Sequence, residues 1–258
     1  MNNAPVPRGR SRRITIIFNP VAGNRRLFLL NEVAAALYRD GWRVAVIGTT
    51  GPGNATNLAA QAAVGGEDVI VAAGGDGTIN EVVAGMAASG IPLGIIPMGT
   101  ANVLAAELGL PRRPEDVAAT FANGVRRRLH LPRANDEPFL LMAGAGFDGA
   151  VVHAVTSRLK RRLGKMSFAL MGLRELLRAR PEKMTVTADG TDYDAQWAIV
   201  TNISRYGGAY RLAPDADPGA HSLTAVLFHR ANAVAVIGHF LRIGTASLAN
   251  SPHVTYVT

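Results

Sequence analysis

From Ile14 to Ile96 the chain alternates short, β-branched apolar runs with stretches whose apolar residues recur at helical spacing. Ile14–Phe18, Val44–Ile47, Val69–Ala73 and Leu93–Ile96 read as strands, and Leu27–Tyr38, Ala55–Ala63 and Asn80–Ala88 as helices. That rhythm predicts a parallel, helix-covered sheet, in which ligands bind beyond the carboxyl ends of the strands. The loops to inspect are therefore Asn19-Pro-Val-Ala-Gly-Asn24, Thr49-Thr-Gly-Pro-Gly-Asn54, Gly74-Gly-Asp-Gly-Thr78 and Pro97-Met-Gly-Thr-Ala-Asn102.

The pattern changes after Pro111. A charged helix over Pro114–Asn123 leads into Arg126-Arg127-Arg128, and strand-like runs follow at Phe139–Ala143, Met184–Ala188, Trp197–Thr201 and Leu223–Phe228. One substantial helical stretch, Leu163–Arg178, interrupts them. The expected organisation is a basic disordered arm over 1–12, an α/β domain over 13–125 and a mainly β domain over 126–258. Trp42 and Trp197 read as packing residues of these two cores.

Composition narrows the partners. Lys and Arg number 27 against 19 acidic residues, a formal charge of +8, which points to a phosphate-bearing ligand or a polyanionic surface. Aromatic residues make up 6%, and no basic run is interleaved with stacking aromatics, so a nucleic-acid partner is not expected. An anionic membrane surface fits better. Glycine, proline and Asn102 break Val82–Ala106 into short elements, so it does not read as a span. Cysteine is absent, which excludes disulfides and thiolate chemistry, and the expected location is cytoplasmic with peripheral membrane association. The cluster Arg158, Lys160, Arg161, Arg162 and Lys165 precedes Met166-Ser-Phe-Ala-Leu-Met171; it reads as a solvated helix face or as a membrane-docking face.

Gly74-Gly75-Asp76-Gly77-Thr78 follows a buried-strand pattern and precedes a helix, so its backbone N–H groups can face a phosphate with the helix dipole behind them. Glycine lets the chain approach the ligand closely. A carboxylate in such a loop repels a bare phosphate but suits a magnesium ion or the proton of an attacking hydroxyl, so the combination asks for a metal-bound nucleotide. A run of Gly and Asp can also be an ordinary turn; four polar or Gly-rich loops at four successive strand ends argue against that. No G-x-x-x-x-G-K-[ST] loop is present, the histidines show no metal-ligand spacing, and Ser204 lacks the context of a hydrolase nucleophile.

Asn19-Pro20 with Gly23, the Gly-Gly-Asp-Gly-Thr run with Asn80-Glu81, Pro97-Met-Gly-Thr-Ala-Asn102 and Gly144-Ala-Gly-Phe-Asp148 are similar, in order and spacing, to the signature of the diacylglycerol kinase catalytic domain, a family shared with bacterial lipid kinases and sphingosine kinases. The resemblance implies a Rossmann-like N-terminal domain of the phosphofructokinase and NAD kinase type, a C-terminal β-sandwich, and ATP between them. It would place Asn19, Thr49, Gly74, Gly75, Asp76, Gly77, Thr78, Asn80, Glu81, Gly99 and Thr100 around ATP. Asp76 would serve at the phosphoryl-transfer centre, as Mg2+ ligand or general base, and Asn102 and Asp148 would lie toward a lipid substrate.

Two departures from the family pattern bear on this. Where relatives have Asp-Gly before an apolar strand, this chain has Ala220-His221, so a structural Mg2+ site would be absent or rebuilt around Asp215 or Asp217. The acidic Asp-Gly-Glu segment of many relatives is also missing; either the sequence is truncated or catalysis rests on Asp76 and another acid, and an incomplete sandwich would leave strand edges that favour association, as in a homodimer. The reading that follows is a Mg-ATP-dependent lipid kinase. Its competitors are a kinase of a soluble small molecule and a regulator that binds nucleotide or lipid without catalysis.

Overall fold

A computed structural model describes residues 12–23, 27–87, 89–147, 149–150, 182–208 and 210–258. The chain divides into two compact units, one formed by Met1–Gly99 with Pro111–Arg126, the other by Thr100–Leu110 with Arg127–Thr258. The basic arm up to Ser11, the cluster from Arg158 to Lys165 and the stretch Leu163–Arg178 lie outside the described residues.

The first unit is a parallel four-stranded sheet: β1 Arg13–Phe18, β2 Arg43–Gly48, β3 Val69–Gly74 and β4 Leu93–Pro97, in the order β2-β1-β3-β4. Between them run α1 Pro20–Gly23, α2 Leu27–Arg39, α3 Asn54–Val64 and α4 Asp76–Met86, and α6 Pro114–Asn123 rejoins the unit after α5 Val103–Glu107. Central strands β1 and β3 are buried on both faces, as their unbroken apolar runs require. Ile14, Ile16, Val69, Val71 and Ala73 meet Leu30, Val33 and Leu37 of α2 and Val117 and Ala118 of α6 in one core, and Trp42 closes its end. Each fully buried Ile, Val or Leu side chain contributes roughly 1.5–3 kcal/mol here. Thr15, Ile17, Ile70 and Ala72 point to the opposite face, where α3 and α4 pack on each other. Edge strand β2 is largely exposed.

In the second unit β5 Arg133–Ala134 pairs with β6 Glu137–Pro138, and β7 Met142–Ala145, β10 Trp197–Thr201, β13 Thr224–Phe228 and β14 Val254–Val257 form an antiparallel sheet in the order β14-β13-β10-β7. The hairpin of β8 Met184–Ala188 and β9 Thr191–Ala195 turns on Asp189-Gly190, at φ 47° and 80°, the paired left-handed conformation a two-residue hairpin needs. Alternation along the strands separates two faces. Ala198, Ala225 and Leu227 pack with Met184, Val186 and Tyr193 of the hairpin. Trp197, Ile199, Val226 and Phe228 pack on the other side with Phe147, Leu212 and α7 Ala233–Gly244. Facing residues Trp197 and Phe228 stack at 3.9 Å. The remaining short strands, β11 Arg205–Tyr206 and β12 Tyr210–Arg211, form a ribbon.

Rossmann-like α/β architecture followed by an antiparallel, sandwich-like unit agrees with the sequence reading, and both tryptophans are core residues. Three local expectations need correction. Helix α4 begins at Asp76, not Asn80, because the first turn of a helix tolerates Gly77 readily. Strand β7 lies over Met142–Ala145, starting three residues and ending two residues later than the expected run. The helical content of the β unit was also understated: α7 occupies a stretch read as having no helix, because apolar residues fall on both sides of AVAVIGHFLRIG and blur the contrast between its faces.

Candidate functional site

Order β2-β1-β3-β4 makes the chain turn outward in opposite directions from β1 and β3, so the adjacent carboxyl ends of these two strands form the topological switch point of the sheet. The residues there are tied together closely. The Asn19 N–H donates to Ala73 O at 3.0 Å, and Asn19 Nδ2 donates to Thr78 Oγ1 at 3.1 Å. Asn19 Oδ1 accepts the Val21 N–H at 3.0 Å, closing an Asx turn that directs the chain away from the sheet. On the other side, the N–H groups of Met98 and Gly99 donate to Gly74 O at 2.9 and 3.1 Å. The loop after β2 is held by the Thr49 N–H, which donates to Phe18 O at 2.8 Å, and by Asn54 Oδ1, which accepts the Thr50 N–H. Asn19, Thr49, Gly74 to Glu81 and Gly99 thus all lie at the carboxyl edge of one sheet or on the helix that leaves it.

Within this edge the glycines give backbone-lined space. A Cβ on Gly75 would stand 3.2 Å from Gly99 Cα, whereas a Cβ on exposed Gly77 would meet nothing within 4 Å. The first intrahelical bond of α4 is from the Ile79 N–H to Gly75 O, so the N–H groups of the preceding turn point out of the helix with the positive end of its dipole. Asp76 is the acidic residue of that turn. This donor set suits a phosphate chain carrying a divalent cation: backbone N–H groups for the phosphate oxygens, one carboxylate for the metal.

Glu81, which the motif set beside ATP, bonds to the neighbouring helix α3. Its Oε2 accepts the Ala55 N–H at 3.2 Å, and its carbonyl accepts from Thr56 Oγ1 at 3.0 Å. Helix α3 has Gly53 at its N-cap position, without a capping side chain, so Glu81 supplies the missing acceptor from the neighbouring helix. Asn80 is half-buried on α4.

Thr100 and Asn102 belong to the second unit. Asn102 adopts the left-handed conformation, φ 50°, immediately before α5; asparagine is among the few residues that tolerate it. Helix α5 ends on Glu107, a residue the motif reading passed over. Its carboxylate, 10% exposed, accepts the Ser204 N–H at 3.3 Å and the Ser204 Oγ at 2.9 Å, with Arg205 Nε 3.9 Å away. Glu107 therefore fastens the Thr100–Leu110 segment to the strand-end turn before β11. A lone Glu one turn after a Gly-Thr-Ala-Asn motif carries no periodic or spacing signal that would have marked it.

Asp148 lies outside the described residues. Asp217 is exposed and committed: it accepts the Gly219 N–H at 2.9 Å and pairs with Arg127 at 2.7 Å, and the Gly219 bond foremost, with the guanidinium, holds its carboxyl below the usual range. Asp215 is exposed in the same loop, and His221 stacks edge-on against His130 at 5.1 Å. Among the described residues no three His, Cys, Asp or Glu side chains converge as a metal cage. Also among them, no helix is long and apolar enough to cross a membrane.

A glycine-rich switch point in an α/β unit, joined in one chain to a sandwich-like β unit, defines a two-part α/β and β protein. Residues 13–134 match the diacylglycerol kinase catalytic domain, and residues 142–258 match the YegS C-terminal NAD kinase beta sandwich-like domain. A diacylglycerol kinase of Bacillus subtilis (strain 168) is 35% identical over 258 residues, spanning 95% of this chain and 83% of the relative. A diacylglycerol kinase of Mycobacterium tuberculosis (strain ATCC 25618 / H37Rv) is 32% identical over 215 residues, 80% of this chain and 69% of its own. The crystal structure of a diacylglycerol kinase from Bacillus anthracis str. Sterne superposes with a TM-score of 0.74 at 25% identity, covering 97% of this chain and 84% of that one. The chain belongs to the diacylglycerol kinase catalytic domain family.

Proposed function

We propose that the protein is a Mg-ATP-dependent lipid kinase that transfers the γ-phosphate of ATP to the hydroxyl of a membrane lipid such as diacylglycerol or a sphingoid base. The observation that carries the reading is Asp76 at the head of α4, beside Gly75 and Gly77, at the β1/β3 switch point. Relatives named diacylglycerol kinase support the lipid acceptor, and the charge of +8 favours an anionic membrane as the place where it is met.

In this reading the N–H groups at the start of α4 orient the phosphates, and Gly75 and Gly77 keep side chains out of their way. Asp76 holds the metal or accepts the proton of the acceptor hydroxyl. When bound, magnesium neutralises charge on the phosphate oxygens. Asn19, through Thr78, and Glu81, through Ala55, keep the neighbouring loops in register with the cradle. Thr100 and Asn102 are assigned to the nucleotide and the acceptor respectively, with Asp148 also on the acceptor side. Little covalent work is left to the protein, so positioning and charge supply the rate.

The test is ATP turnover with diacylglycerol, a sphingoid base or a water-soluble alcohol, read as ADP release and product mass. Lipid-dependent turnover is expected, falling at least about a hundredfold in Asp76→Asn while ATP still binds. Turnover independent of lipid, or undiminished in Asp76→Asn, would overturn the reading.

A further inference from the structure

Helix α7 carries apolar residues on both of its faces, yet among the described residues only one of those faces is packed. Val236, His239 and Ile243 are turned onto Trp197 and Phe228 and are at most 3% exposed. The opposite arc holds Val234, Ile237 and Leu241, spaced i, i+3 and i+7, with Phe240 on its flank, and these are 81, 50, 66 and 41% exposed. A surface helix of a globular protein carries polar residues there, and a contiguous exposed apolar arc marks a contact with something else.

The charges around the arc indicate what that contact is. Arg242 adjoins Leu241 and Arg230 precedes the helix, both exposed, while no acidic residue occurs anywhere from Pro218 to Thr258. An apolar arc with cationic margins, in a stretch of chain without carboxylates, matches the boundary between acyl chains and anionic headgroups, in which a helix lies parallel to the surface with its apolar side submerged. We infer that the outer face of α7 seats the second unit on an anionic phospholipid surface. The inference deepens the lipid-kinase reading and rests on it for its purpose, though the seating itself is testable without any turnover.

The experiment uses the full chain and vesicles of phosphatidylcholine with and without phosphatidylglycerol. Co-sedimentation is expected to show binding that requires phosphatidylglycerol. Replacing Val234→Ser together with Leu241→Ser should lower the partition coefficient at least about tenfold, because both side chains lose most of their apolar area. Arg242→Glu should lower it about fivefold or more, with the loss confined to phosphatidylglycerol vesicles and shrinking as salt is added. Far-UV circular dichroism and thermal melting should match wild type, since the altered positions face outward. As an independent readout, the indole of a Leu241→Trp variant should shift its emission to the blue on vesicle addition and be quenched by brominated acyl chains.

Unchanged partition of the double-serine variant, or an indole that neither shifts nor is quenched, would overturn the inference. So would a wild-type dimer that the double-serine change splits without affecting vesicle binding, since a second copy would then own the face. Phosphorylation of a water-soluble short-chain acceptor should be unchanged in these variants. If vesicle binding behaves as expected while no lipid alcohol is phosphorylated by wild type, the kinase reading fails and the seating stands; the reverse pattern sinks the seating alone.

Discussion

Ser204 offers two donors, its N–H and its hydroxyl, to one buried carboxylate on Glu107. Removing the acceptor in Glu107→Ala leaves both donors unsatisfied, and the expected cost is about 1–3 kcal/mol, read as a lowered urea midpoint at constant slope. Glu107→Gln should recover more than half of that loss, because the amide oxygen can accept the N–H while its NH2 donates to Oγ, which can also accept. Equal destabilisation by both variants would show that charge, through Arg205, matters more than hydrogen-bond count. At Gly77 the two properties of the site separate. A methyl group there meets no neighbour, so Gly77→Ala should raise helix stability by up to about 1 kcal/mol. It should nevertheless weaken ATP binding, since the methyl enters the space assigned to phosphate; a variant that gains stability and keeps its ATP affinity would reduce the glycine run to a helix start.

Helices α3 and α4 illustrate how closely two elements can be drawn together. A Cβ on Gly85 would collide with the Thr56 carbonyl oxygen and come within 2.9 Å of Ala59 Cβ, so Gly85→Ala should destabilise by about 1–3 kcal/mol through overpacking, measured by thermal unfolding. The same crossing lets Glu81 reach the start of α3. At this level much of the molecule was legible in the sequence: β1 and β3 were visible because central strands of a parallel sheet must be continuously apolar, β2 and β4 through their own short β-branched runs, and α2, α3 and α6 because one side of each faces solvent. Helix α7 was hidden for the converse reason, having apolar residues on both sides. The cradle was legible as a motif, and its location followed from strand order, which no local pattern encodes. The cross-helix role of Glu81 and the brace at Glu107 were not legible, because each depends on a partner distant in sequence, Ala55 in one case and Ser204 in the other.

For the molecule as a whole, two titrating groups of the second unit set limits on the pH range of full stability. Burial against Trp197 and Phe228 pushes His239 below its ordinary 6.5, the bond it donates to Arg230 O opposing the effect. The unfolded chain then binds the proton more readily than the folded one, so stability is complete above about 6.5 and falls as the pH drops below it. Burial pushes Tyr256, whose hydroxyl donates to Leu212 O, up to about 12 from 10.0. Here the unfolded chain loses its proton first, so stability is complete below about 10 and falls as the pH rises toward 12. Denaturant midpoints taken across pH should trace a plateau between those limits, and the acid slope should shrink in a His239→Gln variant whatever its absolute stability. A profile with no acid limb near neutrality would place His239 in a wetter environment than its neighbours imply.

Because Thr100–Leu110 is assigned to one unit while Pro111–Arg126 returns to the other, the order of synthesis and the order of assembly are at odds. As the chain leaves the ribosome, Leu30, Val33 and Leu37 of α2 emerge long before Val117 and Ala118 of α6, their partners in the core. During that interval the half-made N-terminal unit presents an apolar groove, a ready substrate for a holdase chaperone. Nor can the two units be separated by one cut: a fragment ending at Gly99 lacks α6, and a fragment starting at Arg127 lacks α5 with Glu107. Recombining this protein with a relative at a single crossover would meet the same obstacle, whereas exchanging residues 100–110 and 127–258 together would keep each unit's own contacts intact.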